Sequence, residues 1–230
     1  MNTIYLIGDS TVDDFREPFR GWGWSLPAFV RPGITVRNHA LSGCSTRSFL
    51  EKGLFEPVAA ALAPGDLLLI QFGHNDEKDD ERHTDPHTTY TENLWRYCRT
   101  AMEKGAQPVL FTPVARRFFS GDTSILYTHG EYPLAVRTLA RERGIPLCDL
   151  KKDSRALYLR LGKERTAELF VRLAPGENAE YPEGHEDFTH FNAFGSRVIA
   201  ALAAREMSEI PACAPFIRPD IHLPEGMEEE

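Results

Sequence analysis

The sequence predicts a three-layer α/β/α sandwich built on a mainly parallel, five-stranded sheet. Three observations predict it. Five short apolar runs recur along the 230 residues, at 3–7, 34–38, 66–72, 107–111 and 145–150. Amphipathic stretches of helical spacing lie between them. The runs are continuously apolar rather than alternating, as expected of strands covered on both faces. Strand and helix alternating in this way give a parallel sheet with right-handed crossovers. The C-terminal ends of the strands then share one edge, where functional loops collect.

The elements follow in order. TIYLI opens the chain and stops at Gly8-Asp9-Ser10-Thr11. A short helix is expected at 24–30. ITVRN, between Pro32-Gly33 and His39, is the second strand. Residues 55–62 read as a helix with Pro57 near its start. DLLLIQF follows Pro64-Gly65 and is the most apolar strand. A long helix at 90–104 stops at Gly105, and another at 132–143 stops at Gly144. QPVLF and IPLCDL supply the last two strands. Residues 151–173 read as a loosely patterned helix. Asn192 is a candidate cap for a final helix reaching about Met207, with Phe194, Val198, Ile199 and Leu202 near one face. The division expected is a catalytic domain over 1–208 and a proline-rich tail over 209–230. That tail packs on or trails from the same domain, pinned by Phe216 and Ile217 and loose at its MEEE tip.

Bulk properties exclude several classes. A hydrophobic fraction of 42% in a chain of this length supports one substantial core. The formal charge of -8 argues against nonspecific binding to nucleic acid or an anionic membrane. No run reaches transmembrane length. The cysteines Cys44, Cys98, Cys148 and Cys213 show no CxxC or metal-binding spacing, and Cys98 and Cys148 read as small buried side chains. No basic stretch followed by a long apolar run marks a signal peptide, so a cytoplasmic protein meeting imported oligosaccharides is expected.

Four segments carry candidate chemistry. Ser10 sits at the exit of the first strand, beside a turn with free backbone N–H groups, as a nucleophile or a turn cap. In NHALSGCSTR after the second strand, Gly43 can present its N–H without crowding. Cys44 has no activating neighbour in sequence. GHND (Gly73–Asp76) follows the third strand. Asn75 offers an amide donor, His74 is a candidate base or substrate contact whose neighbours point to a loop-holding role, and Asp76 orients backbone groups. In DFTHFN (Asp187–Asn192), His190 is a natural general base and Asp187, three residues earlier, can fix its tautomer. Asp-x-x-His also fits a metal site, but further ligands and HExxH are lacking. There is no glycine-rich nucleotide loop and no GxSxG elbow. Taken together, Ser10, His190 and Asp187 form a nucleophile, base and orienter, with Ser10 N–H, Gly43 N–H and the Asn75 amide facing an oxyanion.

The ordered set GDS, Gly43, GHND and DFTH resembles the SGNH (GDSL-type) hydrolase superfamily over residues 1 to about 208. The fuller forms GDSTV, GWGW, NHALSGCSTRSF, QFGHND and DFTHFN resemble its rhamnogalacturonan acetylesterase branch. That resemblance implies a flavodoxin-like strand order. It also implies a serine esterase that needs no metal or cofactor and removes acetyl groups from pectic poly- or oligosaccharide. Its catalytic residues map onto Ser10, Asp187 and His190, and its oxyanion donors onto Ser10, Gly43 and Asn75.

Further substrate contacts are sought at Trp22 and Trp24, whose faces suit sugar rings, with core packing as the competing reading. Arg47 is placed to meet a uronate carboxylate or simply solvent. DEKDDERHTD (Asp76–Asp85) reads as a solvated acidic loop at the cleft rim, which disfavours long polygalacturonate. Competing functions are a broader acetyl esterase acting on xylo-oligosaccharides, a lipase or thioesterase, a non-catalytic carbohydrate-binding protein, and a flavin- or phosphate-binding protein. The oligomeric state is not encoded in any pattern seen here.

Overall fold

A computed structural model describes residues 2–14 and 17–227. Five parallel strands form the main sheet: β1 (Thr3–Gly8), β2 (Thr35–Asn38), β3 (Leu67–Gln71), β4 (Gln107–Phe111) and β5 (Leu147–Cys148). Their order is β2-β1-β3-β4-β5, the doubly wound order of flavodoxin-like folds. Helices cover both faces, which confirms the three-layer sandwich. They are α1 (Trp22–Ser25), α2 (Thr46–Glu51), α3 (Phe55–Ala61), α4 (Thr89–Glu103), α5 (Tyr132–Arg143), α6 (Leu150–Ala167) and α7 (Ala193–Glu209).

The pleat divides the strand side chains between two cores. Ile4, Leu6, Leu67, Leu69, Val109 and Phe111 pack against Trp22 of α1, Leu157, Tyr158 and Leu161 of α6, and Val198 and Ile199 of α7. Tyr5, Ile7, Leu68, Ile70 and Leu110 face α2 to α5, meeting Phe49, Val58, Leu94, Tyr97 and Val136. Because both pleat faces are dry, the strands need no polar alternation. Each such aliphatic side chain, once buried, contributes roughly 1.5–3 kcal/mol.

The structure corrects four local expectations. The helix expected at 24–30 is a four-residue α-turn beginning at Trp22, followed by a 3-10 turn, Leu26–Phe29, with Pro27 in its first turn. The segment after β2 is not all loop. Ser45 and Ser48 form a reciprocal capping box that starts α2. The helix expected over 151–173 ends at Ala167, and Gly162 interrupts it with φ 73°. Residues Phe170–Leu173 are instead strand β6, and DFTHF lies on strand β7 (His185–Phe191), paired antiparallel to it. A short strand directly after a helix leaves no periodic gap, so 170–173 looked like more helix.

Beyond α7 the chain returns over the α1/α7 side. Arg31 N–H donates to Phe216 O and Arg218 N–H to Phe29 O. Phe216, Ile217, Leu223 and Met227 are buried in the first core. Of the MEEE tip expected to be loose, Met227 is instead buried, and residues 228–230 lie outside the described residues. Among the described residues no helix is long and apolar enough to cross a membrane.

Candidate active site

The exits of β1, β2 and β3 share one edge of the sheet. At the first, Asp9 is fully buried and organises the turn that carries Ser10. Its Oδ1 accepts from Thr11 N–H at 2.9 Å and Thr11 Oγ at 2.7 Å, and its main-chain oxygen accepts from Val12 and Asp13. Burial alone would raise the Asp9 pKa, but His74 and the Thr11 donors outweigh it and hold the carboxyl below its usual range. GWGW packs on the outside of this turn. A Cβ at Gly21 would lie 2.3 Å from the Val12 carbonyl carbon, and one at Gly23 would lie 2.4 Å from Val12 O. Both glycines are therefore required by close backbone approach.

The loop after β2 is tied to the turn that carries Ser10. Leu41 N–H donates to Gly8 O, while Ser42 N–H and Oγ donate to Asp13 Oδ2 at 2.8 and 2.7 Å. Gly43 adopts φ 79° with open space where a side chain would project. Among the described residues, the Ser10 and Gly43 N–H groups donate to no protein acceptor. After β3, Asn75 is buried and its Nδ2 donates to Cys44 O at 2.9 Å, which joins the second loop to the third. Asp76 accepts from Thr46 N–H, Thr46 Oγ1 and Thr84 Oγ1. Burial pushes the Asp76 pKa up to about 6, against the pull of those threonines.

The fourth segment arrives on the small sheet. Phe170 faces Phe191 and Arg172 faces Glu186, so Val171 lies opposite the four residues 187–190. The slack forms a bulge whose tight turn is held by Asp187 Oδ1, which accepts from Thr189 N–H at 2.7 Å and His190 N–H at 2.8 Å. Asp187 Oδ2 is then 2.9 Å from His190 Nδ1. His190 Nε2 is 2.9 Å from Ser10 Oγ, across 180 residues of sequence. Partial burial opposes the Asp187 charge, but the His190 hydrogen bond and the two backbone donors keep its pKa well below the usual carboxylate value. An ionised carboxylate only accepts, so His190 carries its proton on Nδ1 and offers the Nε2 lone pair to Ser10.

Other expected contacts separate. Trp22 is 1% exposed; its Nε1 donates to Gln71 Oε1 at 3.0 Å and its ring packs 5.2 Å from Phe111. It is a core residue and cannot stack on a sugar. His74 is buried as well, with Nδ1 3.3 Å from Asp9 Oδ2, so it is a loop-holding residue and not a substrate contact. Trp24 is 41% exposed with the Arg20 guanidinium 4.9 Å from its ring centre. Arg47 is partly exposed beside Glu51 on α2. Cys44 is buried, and burial raises its thiol pKa. All four cysteines are free and buried.

Three features escaped the sequence reading. His185 Nε2 lies 3.2 Å from Asp187 Oδ2, the oxygen that also faces His190. Their i, i+2 spacing puts both on one face of a strand, a signal visible only once 185–191 is read as a strand. Phe118 and Phe188 stack beside Asp187 at 5.4 Å, with the Arg117 guanidinium 4.4 Å from the Phe188 ring. Arg82, in the acidic segment after Asp76, donates from Nη1 to Asn75 Oδ1 at 3.2 Å. Among the described residues, no three His, Cys, Asp or Glu side chains are grouped to hold a metal ion.

Residues 6–198 match the GDSL-like Lipase/Acylhydrolase family. Rhamnogalacturonan acetylesterase RhgT of Bacillus subtilis is 43% identical over 210 residues, covering 90% of each chain. A probable rhamnogalacturonan acetylesterase of the same organism, YesY, is 35% identical over 213 residues, 91% of this chain and 94% of that one. The crystal structure of the Bacillus subtilis protein YxiM superposes with a TM-score of 0.79 at 29% identity, covering 92% of this chain and 58% of that chain.

Proposed function

The chain belongs to the GDSL-like Lipase/Acylhydrolase family, and from that premise we propose that it is a serine esterase that removes O-acetyl groups from rhamnogalacturonan-type pectic oligosaccharides. The observation that carries the chemistry is the continuous hydrogen-bonded line from Ser10 through His190 to Asp187. The substrate class is supported by the two relatives whose names carry it, each matching about nine-tenths of this chain.

His190 Nε2 takes the Ser10 hydroxyl proton as Oγ attacks the acetyl carbonyl carbon. The imidazolium so formed keeps its Nδ1–H on Asp187, whose low pKa holds the negative charge that stabilises it. The tetrahedral oxyanion is met by Ser10 N–H, Gly43 N–H and the Asn75 amide, none of which must reorganise during the step. As the intermediate collapses, the bond from the acetyl carbon to the sugar oxygen breaks, His190 gives its proton to that oxygen, the sugar leaves as a free hydroxyl, and an acetyl-Ser10 ester remains. Water, deprotonated by His190, then attacks that ester and releases acetate. The residues fit this chemistry without a cofactor. Phe118 and Phe188 form a half-exposed aromatic stack, Phe188 following Asp187 directly in sequence.

Acetate release by the protein and by Ser10→Ala, compared on acetylated rhamnogalacturonan oligosaccharides and acetylated xylo-oligosaccharides, tests the proposal. Release from the pectic substrate that is lost in the variant is expected. Release mainly from xylo-oligosaccharides would keep the triad and replace the substrate. Release from neither would overturn the reading, as would activity retained by Ser10→Ala.

A further inference from the structure

We propose that Arg82 is a positioning residue for the oxyanion site, acting through the Asn75 amide; this rests on the esterase reading of Ser10 and Asn75. An amide side chain can present either end, and its neighbours decide which. Here both fixed ends are specified. Arg82 Nη1 donates to Asn75 Oδ1 at 3.2 Å, and Asn75 Nδ2 donates to Cys44 O at 2.9 Å. Turning the amide over would set its NH2 against a guanidinium, which has no acceptor, and its oxygen against a carbonyl. The orientation is therefore locked, with one Nδ2–H committed to Cys44 and the other left for the oxyanion.

The guanidinium is itself held in place. Its Nε lies 2.9 Å from Asp80 Oδ1 and its Nη2 lies 2.5 Å from Asp80 Oδ2, a planar fork against a carboxylate. Asp80 Oδ1 also accepts from Arg82 N–H at 3.0 Å. The segment closes behind this pair, because Thr84 N–H returns to Asp76 O and Thr84 Oγ1 to Asp76 Oδ1. Residues 76–84 thus form a tied loop whose cationic tip points back at the site, rather than the freely solvated acidic loop their composition suggests. Asp80 neutralises most of the long-range charge of Arg82, so direct Coulomb attraction for the oxyanion is the smaller effect. The larger one is local: a cation on Oδ1 fixes the amide and strengthens the remaining N–H as a donor.

Hydrolysis of 4-nitrophenyl acetate, which makes no sugar contacts, tests this with wild type, Arg82→Ala, Arg82→Lys, Asn75→Ala and the double variant Arg82→Ala/Asn75→Ala. Asn75→Ala alone is expected to lower kcat by about 100-fold or more. Arg82→Ala is expected to lower kcat about tenfold with KM within about twofold, and Arg82→Lys to recover part of the loss. In the Asn75→Ala background, Arg82→Ala should cost almost nothing further, because the group it positions is gone. The same loss from Arg82→Ala in both backgrounds, or a normal kcat in an otherwise active enzyme, would overturn the role of Arg82 alone. A wild-type protein no more active than Ser10→Ala would overturn the esterase reading, and this role with it.

Discussion

Two histidine–aspartate pairs lie in different settings, one across the exits of β1 and β3 and one in the bulge of β7, with like geometry and unlike surroundings. His190 Nδ1 meets Asp187 at 2.9 Å, and His74 Nδ1 meets Asp9 at 3.3 Å. The His190 side chain is 34% exposed and its Nε2 faces Ser10; that of His74 is 4% exposed. Burial pushes the His74 pKa down despite Asp9, so the ring is neutral and donates its Nδ1–H to the Asp9 carboxylate. Beyond it the His129 ring lies 4.4 Å away, edge on, and His129 Nδ1 is 2.7 Å from Lys151 Nζ. His74 Nε2 and His129 Nε2 are buried without a hydrogen-bond partner among the described residues. On the proposed mechanism the same pair of side chains is thus a base when a nucleophile and solvent reach Nε2, and a loop clasp when neither does.

Exchanging the two pairs in an experiment gives the sharpest contrast. His190→Ala should lower kcat by about ten-thousandfold or more while leaving the unfolding midpoint almost unchanged. His74→Ala should do the reverse. It strands the buried Asp9 carboxylate, at a cost of about 2–4 kcal/mol in stability, with kcat reduced less than about tenfold. Urea unfolding and steady-state kinetics on both variants check this, and comparable activity losses in the two would break the distinction.

Lys151, beside His129 behind the buried pair, predicts a pH effect at alkaline pH. Burial, with Arg116, Arg155 and Arg137 nearby and only Glu77 in opposition, pushes the Lys151 pKa down to about 7. Above the ordinary lysine value the amine is neutral in both folded and unfolded chains and costs nothing. As pH falls toward 7, the unfolded chain takes up the proton and the folded one does not, so stability is lost over that window. Lys151→Met removes this loss. The stability of the variant relative to wild type should therefore improve by roughly 3 kcal/mol between about pH 9.5 and pH 7. A pH-independent difference would show that Lys151 is charged in its niche.

The smallest expected effects separate Trp22 from Trp24, two residues apart on one helical turn. Trp24→Ala should raise KM for the oligosaccharide about three- to tenfold with kcat unchanged, if its exposed ring meets sugar. Trp22→Phe should leave KM alone and cost about 1–3 kcal/mol, because Gln71 Oε1 loses its buried donor. A KM effect at Trp22, or none at Trp24, would reverse their assignments.

The strands and the two dry faces were legible because each rests on a short window of sequence: an apolar run, a glycine stop, a strand-to-helix alternation. The strand order rests on long-range pairing and was implied only by the resemblance of the ordered motifs to the SGNH hydrolases. Ser10, Gly43, Asn75, Asp187 and His190 were legible as candidates because each stands next to such a stop. The small β6–β7 sheet was not, since Phe170 and Phe191 pair across a 21-residue separation that leaves no local period. Nor was the division of labour within pairs. Trp22 and Trp24 have one chemistry and opposite surroundings, and so do His74 and His190. Arg82 looked like one charge in a solvated run until its loop closed on Thr84 and Asp76 and aimed it at Asn75. By itself the sequence determined which reactive groups exist and at which end of the sheet they lie, because backbone periodicity is a local property. Only the tertiary structure decided which of them share a proton, which are buried, and which are held still, because burial and hydrogen bonding depend on residues that are distant along the chain.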